Sequence, residues 1–206
     1  MKTIRTIIAD DHAVVRTGLA ALLEAEPDIV VVSEVEDGAE AVRSALRHKP
    51  DVVIMDLMMP VKDGIDATRE IRASLPNVKV LVLTTSGVSD DIVRALDAGA
   101  SGAILKSASN ADLITAIRAV ASGKSAISED VQKMLQADPP IQCLTERQLE
   151  ILNSVMRGFT NQDIARQLGI REDSVKEHLY NIFEKIGASN RAEAVAIALR
   201  KHLLKI

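Results

Sequence analysis

Tryptophan is absent from the 206 residues, and the aromatic set is three residues in all, Phe159, Tyr180 and Phe183. All of them lie in the C-terminal part, so the N-terminal part must pack its core from Ile, Val, Leu, Met and Ala alone. Cys143 is the one cysteine. With no partner it excludes an internal disulfide, which fits a reducing, cytoplasmic location. No apolar run is long enough to span a bilayer, and Met1-Lys2-Thr3-Ile4 leads straight into an apolar run without a signal peptide. The chain is 47% apolar and 26% charged, a globular mixture with material for one large or two small domains. Positive charge is scarce at first: residues 1–143 carry 15 Lys and Arg against 21 Asp and Glu, whereas residues 144–206 carry 10 against 8.

What is present begins with five short runs rich in Val and Ile: Ile4 to Ala9, Ile29 to Val35, Val52 to Met55, Val78 to Leu83 and Ala103 to Leu105. Their length suits buried strands, and helix-length segments separate them. This β-α-β-α alternation predicts a five-stranded parallel sheet covered by helices on both faces. Right-handed crossovers put every strand's C-terminal end on one edge, where ligands of such sheets bind. Asp10, Asp11, Asp56, Thr84 and Lys106 stand at or just past the ends of four of the five runs.

The alternation stops near Gly123. Ser128 with Glu129 and Asp130 predicts a short helix to about Leu135, and Gln136 to Cys143, containing Pro139-Pro140, reads as a stiff linker. The expected division is 1–123, a linking segment 124–143, and 144–206. The last part reads as four helices: one capped by Thr145, one over Asn161 to Leu168, one over Glu172 to Ile186 and one over Arg191 to Leu203. Two helices joined by a short turn at Gly169 form a helix-turn-helix signature, whose second helix reads DNA.

Three carboxylates brought together need a cation to offset their repulsion, and a few hard oxygen ligands suit Mg²⁺. A divalent ion beside a carboxylate and an ammonium makes a phosphoryl-transfer site. Asp56 is the candidate nucleophile, since it follows the central run and the Met58-Met59-Pro60 loop is expected to leave it exposed. A lone Asp after a strand is most often a turn or capping residue. The joint occurrence across four units is what points to chemistry.

Asp10-Asp11, Asp56-Leu57-Met58-Met59-Pro60 with Asp63-Gly64, Thr84 and Lys106 resemble the receiver domain of bacterial two-component response regulators, with its flavodoxin-like sheet. Leu144-Thr145-Glu146-Arg147, Gly158, Asn161 through Ala165, and Ser174 to Leu179 followed by Lys185-Ile186-Gly187 are similar to the LuxR-type DNA-binding domain. Together they resemble the NarL/FixJ class. The resemblance implies that Asp56 accepts phosphate from a sensor histidine kinase, that Asp10, Asp11, Asp56 and the Met58 carbonyl hold Mg²⁺, and that Lys106 and the Thr84 hydroxyl meet the phosphoryl group. It also implies a homodimer on promoter DNA. Lys176 and Tyr180, with Asn181, are candidate base or phosphate contacts, Arg171 and Lys185 would lie near the phosphate backbone, and Ala194, Val195, Ala198 and Leu199 could form a dimer seam.

Three departures limit the transfer. Ala103 stands where many receivers carry an aromatic relay, Gln148 where glutamate is usual, and Arg171 where a serine cap is usual. The third helix also carries Glu172, Asp173 and Glu177, which weaken attraction to phosphates. Two other readings stay open: a regulator of this fold controlled without phosphorylation, and an aspartyl-phosphate hydrolase. The hydrolase needs an acid/base two residues after its nucleophile, where this chain has Met58.

Overall fold

A computed structural model describes residues 3–85, 89–137, 144–201 and 203–204. The expected Gln136–Cys143 linker lies outside these residues from position 138 onward, as does Cys143. The chain divides into two compact units, Met1–Pro139 and Pro140–Ile206.

In the first unit the strands are β1 (Ile4–Ala9), β2 (Ile29–Val35), β3 (Val52–Asp56), β4 (Lys79–Thr84), β5 (Gly102–Leu105) and β6 (Ala126–Ile127). They form one parallel sheet in the order β2-β1-β3-β4-β5-β6. Successive residues point to opposite faces, so Ile8, Ile54, Leu81 and Ile104 meet helices α1 (Ala13–Glu24) and α5 (Asn110–Ala121). Ile7, Val53, Met55 and Val80 face the other side, toward α2 (Gly38–His48) and α3 (Gly64–Ser74). Helix α4 (Ser89–Asp97) packs on that side too, through Ile92 and Ala95. Arg118 at the end of α5 pairs with Asp28 at 2.6 Å and Glu26 at 2.7 Å, pinning that helix to the turn before β2.

The sheet has six strands rather than five, and this moves the domain boundary. Gly102 admits the sixth: a Cβ there would lie 2.3 Å from the Ala126 carbonyl oxygen. Helix α6 (Glu129–Ala137) follows at once, running past the expected Leu135. Its Val131 is buried in one cluster with Ala103, Leu57, Val82 and Ile92. Residues 124–137 thus belong to the first unit, with Val131 in its core, and the position lacking an aromatic is sealed by aliphatic packing from α4 and α6.

The second unit holds α7 (Glu146–Met156), α8 (Asn161–Leu168), α9 (Glu172–Ile186) and α10 (Arg191–Arg200). Thr145 and Gln148 form a reciprocal capping box on α7, and Thr160 with Asp163 does the same on α8. Gly169 ends α8 at φ 64°, the left-handed conformation that turns the chain into α9. Ile151, Leu152, Ile164, Val175, Leu179, Ile182 and Ile186 form the core, closed by Ala194 and Ala198 of α10.

Candidate functional site

Four neighbouring strands deliver polar groups to one edge of the sheet. Asp10 follows β1, Asp56 closes β3, Thr84 closes β4 and Lys106 follows β5. The backbone holds them tightly. The Lys106 amide donates to the Thr84 carbonyl at 2.7 Å, and the Gly64 amide donates to the Leu57 carbonyl at 2.9 Å. Gly64 is the only residue type that fits there, because a Cβ would stand 1.9 Å from the Asp56 carbonyl oxygen. The Lys106 ammonium sits between two carboxylates, 2.6 Å from Asp10 Oδ2 and 2.8 Å from Asp56 Oδ2.

Asp56 is only 4% exposed, so the loop after it does not leave it open as the sequence suggested. The side chain of Met58 is exposed instead, while its backbone, together with Lys106, opposes the effect of burial on the Asp56 carboxyl. Burial pushes the Asp56 carboxyl above the ordinary carboxylate value, against the opposing pull of Lys106. Burial likewise pulls the Lys106 ammonium down, but hydrogen bonds and charge from Asp10 and Asp56 outweigh it and hold it above its usual value. Asp10 and Asp56 thus favour the charged form of Lys106, and Lys106 in turn opposes the effect of burial on Asp56. The loop stores strain at Val61, a β-branched residue at φ 65°.

The remaining residues lie around this pair. Asp10 Oδ1 accepts from the His12 amide at 2.9 Å, and its carbonyl accepts from Arg16 at 2.6 Å. Asp11 is more open, with Oδ1 2.7 Å from His12 Nδ1. The Thr84 hydroxyl donates to the Thr85 carbonyl at 3.2 Å. His12 escaped the sequence reading, although it directly follows the Asp10-Asp11 pair.

The donor set suits a divalent cation. One ligand atom each from Asp10, Asp11, His12 and Asp56 lies within 4.8 Å of the others. Asp10 Oδ2 is buried without a directional hydrogen bond. Its answer is the Lys106 ammonium at 2.6 Å, a charge contact that holds whatever its angle.

The second unit carries a different surface. Tyr180 is 65% exposed on α9, and Asn181 and Lys176 are exposed beside it. Lys176 is held at 3.3 Å by Glu172 and 3.2 Å by Asp173, whose hydrogen bonds raise its ammonium above the ordinary value. Arg171 occupies the N-cap position of α9 with no side-chain cap bond. The Lys185 ammonium donates to Gln148 Oε1 at 3.0 Å, so it ties α9 to α7 rather than pointing freely outward. The expected dimer seam needs correction as well. Ala194 and Ala198 are fully buried in their own unit's core because α10 packs on α7 and α9, and only Val195 and Leu199 retain partial exposure.

Comparison with known proteins matches both units. Residues 6–118 match the response regulator receiver domain family, and residues 142–198 match the bacterial regulatory proteins of the luxR family. The transcriptional regulatory protein LiaR of Bacillus subtilis is 41% identical over 209 residues, covering 98% of this chain and 99% of LiaR. The response regulator protein VraR of Staphylococcus aureus is 38% identical, covering 98% of this chain and all of VraR. A solved structure of RcsB from Salmonella enterica serovar Typhimurium, bound to promoter P1flhDC in the presence of the phosphomimetic BeF3-, is similar with a TM-score of 0.74 at 27% identity, covering 97% of this chain and 99% of that one.

Proposed function

Because the chain belongs to the two-component response regulators that join a receiver domain to a luxR-type domain, we propose that it is a transcription regulator switched by phosphorylation of Asp56. The observation that carries this reading is the Lys106 ammonium bridging the buried carboxylates of Asp10 and Asp56. In the transfer, a carboxylate oxygen of Asp56 attacks the phosphorus of a sensor kinase's phosphohistidine. The P–N bond breaks as the O–P bond forms, and the imidazole leaves with a proton.

Lys106 keeps the buried Asp56 ionised beforehand and afterwards stands within reach of the phosphoryl oxygens. Asp10, Asp11, Asp56 and the Met58 carbonyl would hold Mg²⁺, whose chemistry there is to neutralise charge on the transferred group. The Thr84 hydroxyl gives up its bond to the Thr85 carbonyl and turns to the phosphoryl group. Met58, two residues after Asp56, brings no acid or base, which supports a receiver over a hydrolase.

The added charge favours a dimer in which two weakly binding luxR-type domains engage paired half-sites of promoter DNA. Tyr180 and Asn181 offer exposed contacts on α9. Lys176 joins them by exchanging Glu172 and Asp173 for phosphate or base. Among the described residues no helix is long and apolar enough to cross a membrane, and a promoter-DNA partner supports a cytoplasmic location. Sizing and DNA binding with and without beryllofluoride and Mg²⁺ test the reading. Activation should yield dimers and tighter promoter binding, and Asp56→Ala should remove both along with labelling by acetyl phosphate. Unchanged behaviour in Asp56→Ala would overturn it.

A further inference from the structure

Between β1 and α1 the chain turns through Asp10, Asp11 and His12, and two of these carry carboxylates of the site. Helix α1 opens on His12 with no side-chain capping bond and no acidic residue in its first turn. Arg16, one helical turn further on, reaches back to this segment. Its Nη1 donates to the Asp10 carbonyl oxygen at 2.6 Å, and its Nη2 lies 3.9 Å from Glu36 Oε2, just past the end of β2. The Arg16 side chain is 17% exposed and that of Glu36 69%, so the carbonyl bond is the sheltered arm of the fork and the carboxylate contact the solvated one.

The bond to the carbonyl is short and charge-assisted. Because a peptide group is planar, holding the Asp10 carbonyl also holds the Asp11 amide, and with it the direction in which Asp11 leaves the strand. The guanidinium takes a carbonyl oxygen and leaves the carboxylates to the site. There Asp10, Asp11 and Asp56 bring ligand atoms within 4.8 Å of one another.

We propose that Arg16 is a positioning residue for phosphoryl transfer, fixing the Asp10-Asp11 peptide so that both carboxylates meet one Mg²⁺ ion. The inference rests on the metal-dependent phosphoacceptor reading and adds a residue that acts through Asp10 and Asp11. Charge and positioning predict opposite signs here. A guanidinium near a cation site repels the ion, so removing it for its charge alone tightens Mg²⁺ binding. Removing a group that orients the ligands weakens binding instead, by about 10–100-fold in metal sites generally.

The test is Mg²⁺ titrated into the full-length protein and followed by NMR of the Asp11 and His12 backbone amides, alongside labelling by acetyl phosphate. In Arg16→Gln the Kd for Mg²⁺ should rise about tenfold, while the labelling rate at saturating Mg²⁺ stays within about twofold of the unaltered protein. Arg16→Lys keeps the charge but loses the fork and reaches one bond less far, so its Kd should rise about threefold or more. Should Arg16→Gln not fold, as judged by circular dichroism, the lysine variant decides. Glu36→Gln, which removes only the solvated contact, should change the Kd by less than about twofold. Unchanged or tighter Mg²⁺ binding in the Arg16 variants, or an equal loss in Glu36→Gln, would overturn the role of Arg16 and leave the phosphoacceptor site standing. Failure of the unaltered protein to take label with Mg²⁺ would overturn the reading beneath it.

Discussion

The sheet edge and the exposed face of α9 are both charged, but they use charge in opposite ways. At the edge, one ammonium lies within 3 Å of two buried carboxylates, which hold it in the ionised state. On α9, Lys176 and its acidic neighbours pair in solvent, where such contacts contribute ~0–1 kcal/mol and can be exchanged for other partners. Burial makes the first arrangement strict, since losing the ammonium strands both carboxylates. Exposure makes the second permissive, which suits a surface that must release its own pairs to meet DNA.

The sharpest way to break this contrast is Lys106→Ala. It leaves Asp10 and Asp56 buried side by side without their counter-charge, so the first unit should lose about 3 kcal/mol in urea unfolding at neutral pH, with partial recovery on adding Mg²⁺. The matching change on α9, Lys176→Ala, should leave stability unchanged within about 0.5 kcal/mol while weakening DNA binding and lowering its salt slope by about one.

Buried against exposed can also be set side by side within α10. Ala198→Leu forces volume into a closed core and should destabilise the second unit by about 2 kcal/mol, whereas Leu199→Ala at the half-exposed position should cost less. If Ala198→Leu were tolerated and altered only dimerisation, α10 would present that face to a partner after all.

Asp56→Asn should stabilise the protein by about 1 kcal/mol at pH 7, because the carboxyl is shifted upward by burial. A group whose folded pKa is raised contributes stability below its unfolded value, and that contribution is lost as pH rises through the folded value. The advantage of Asn should therefore shrink as pH falls toward 4. A constant advantage across that range would mean that packing, not charge, distinguishes the two side chains. The smallest effect is expected from Gln148→Glu, which turns the hydrogen bond from Lys185 into an ion pair at a buried cap. It should add about 0.5–1 kcal/mol to the second unit at neutral pH, lost as the new carboxylate is protonated.

Much of this was legible in residue order. Apolar runs bounded by turn residues gave five strands close to their observed limits, and Thr145, Gly169 and Gly187 marked helix ends where the structure has them. Strand β6 was not legible, because two residues carry no period and their pairing depends on the missing side chain of Gly102. The exposure of Asp56 was misread for a related reason. A loop rich in Met and Pro says nothing about which side chains turn inward, and here that of Asp56 does while that of Met58 does not. Lys185 was expected near the phosphate backbone and Ala198 in a dimer seam, but the packing of α7 against α9 and α10 decides which stripe is covered.

Chain order by itself determined which residues reach the sheet edge, since a parallel sheet with right-handed crossovers must present every strand's C-terminal end on one side. It determined the helical character of the second unit in the same local way, through caps and periodicity. Only the tertiary structure decided the energetics. It buried Asp56, set Lys106 between two carboxylates, turned His12 toward Asp10 and Asp11, and bound the segment after α5 into the sheet beside Ala103. The reason is physical: connectivity and periodicity are local properties of the chain, whereas desolvation and charge pairing depend on which distant atoms pack within a few ångströms.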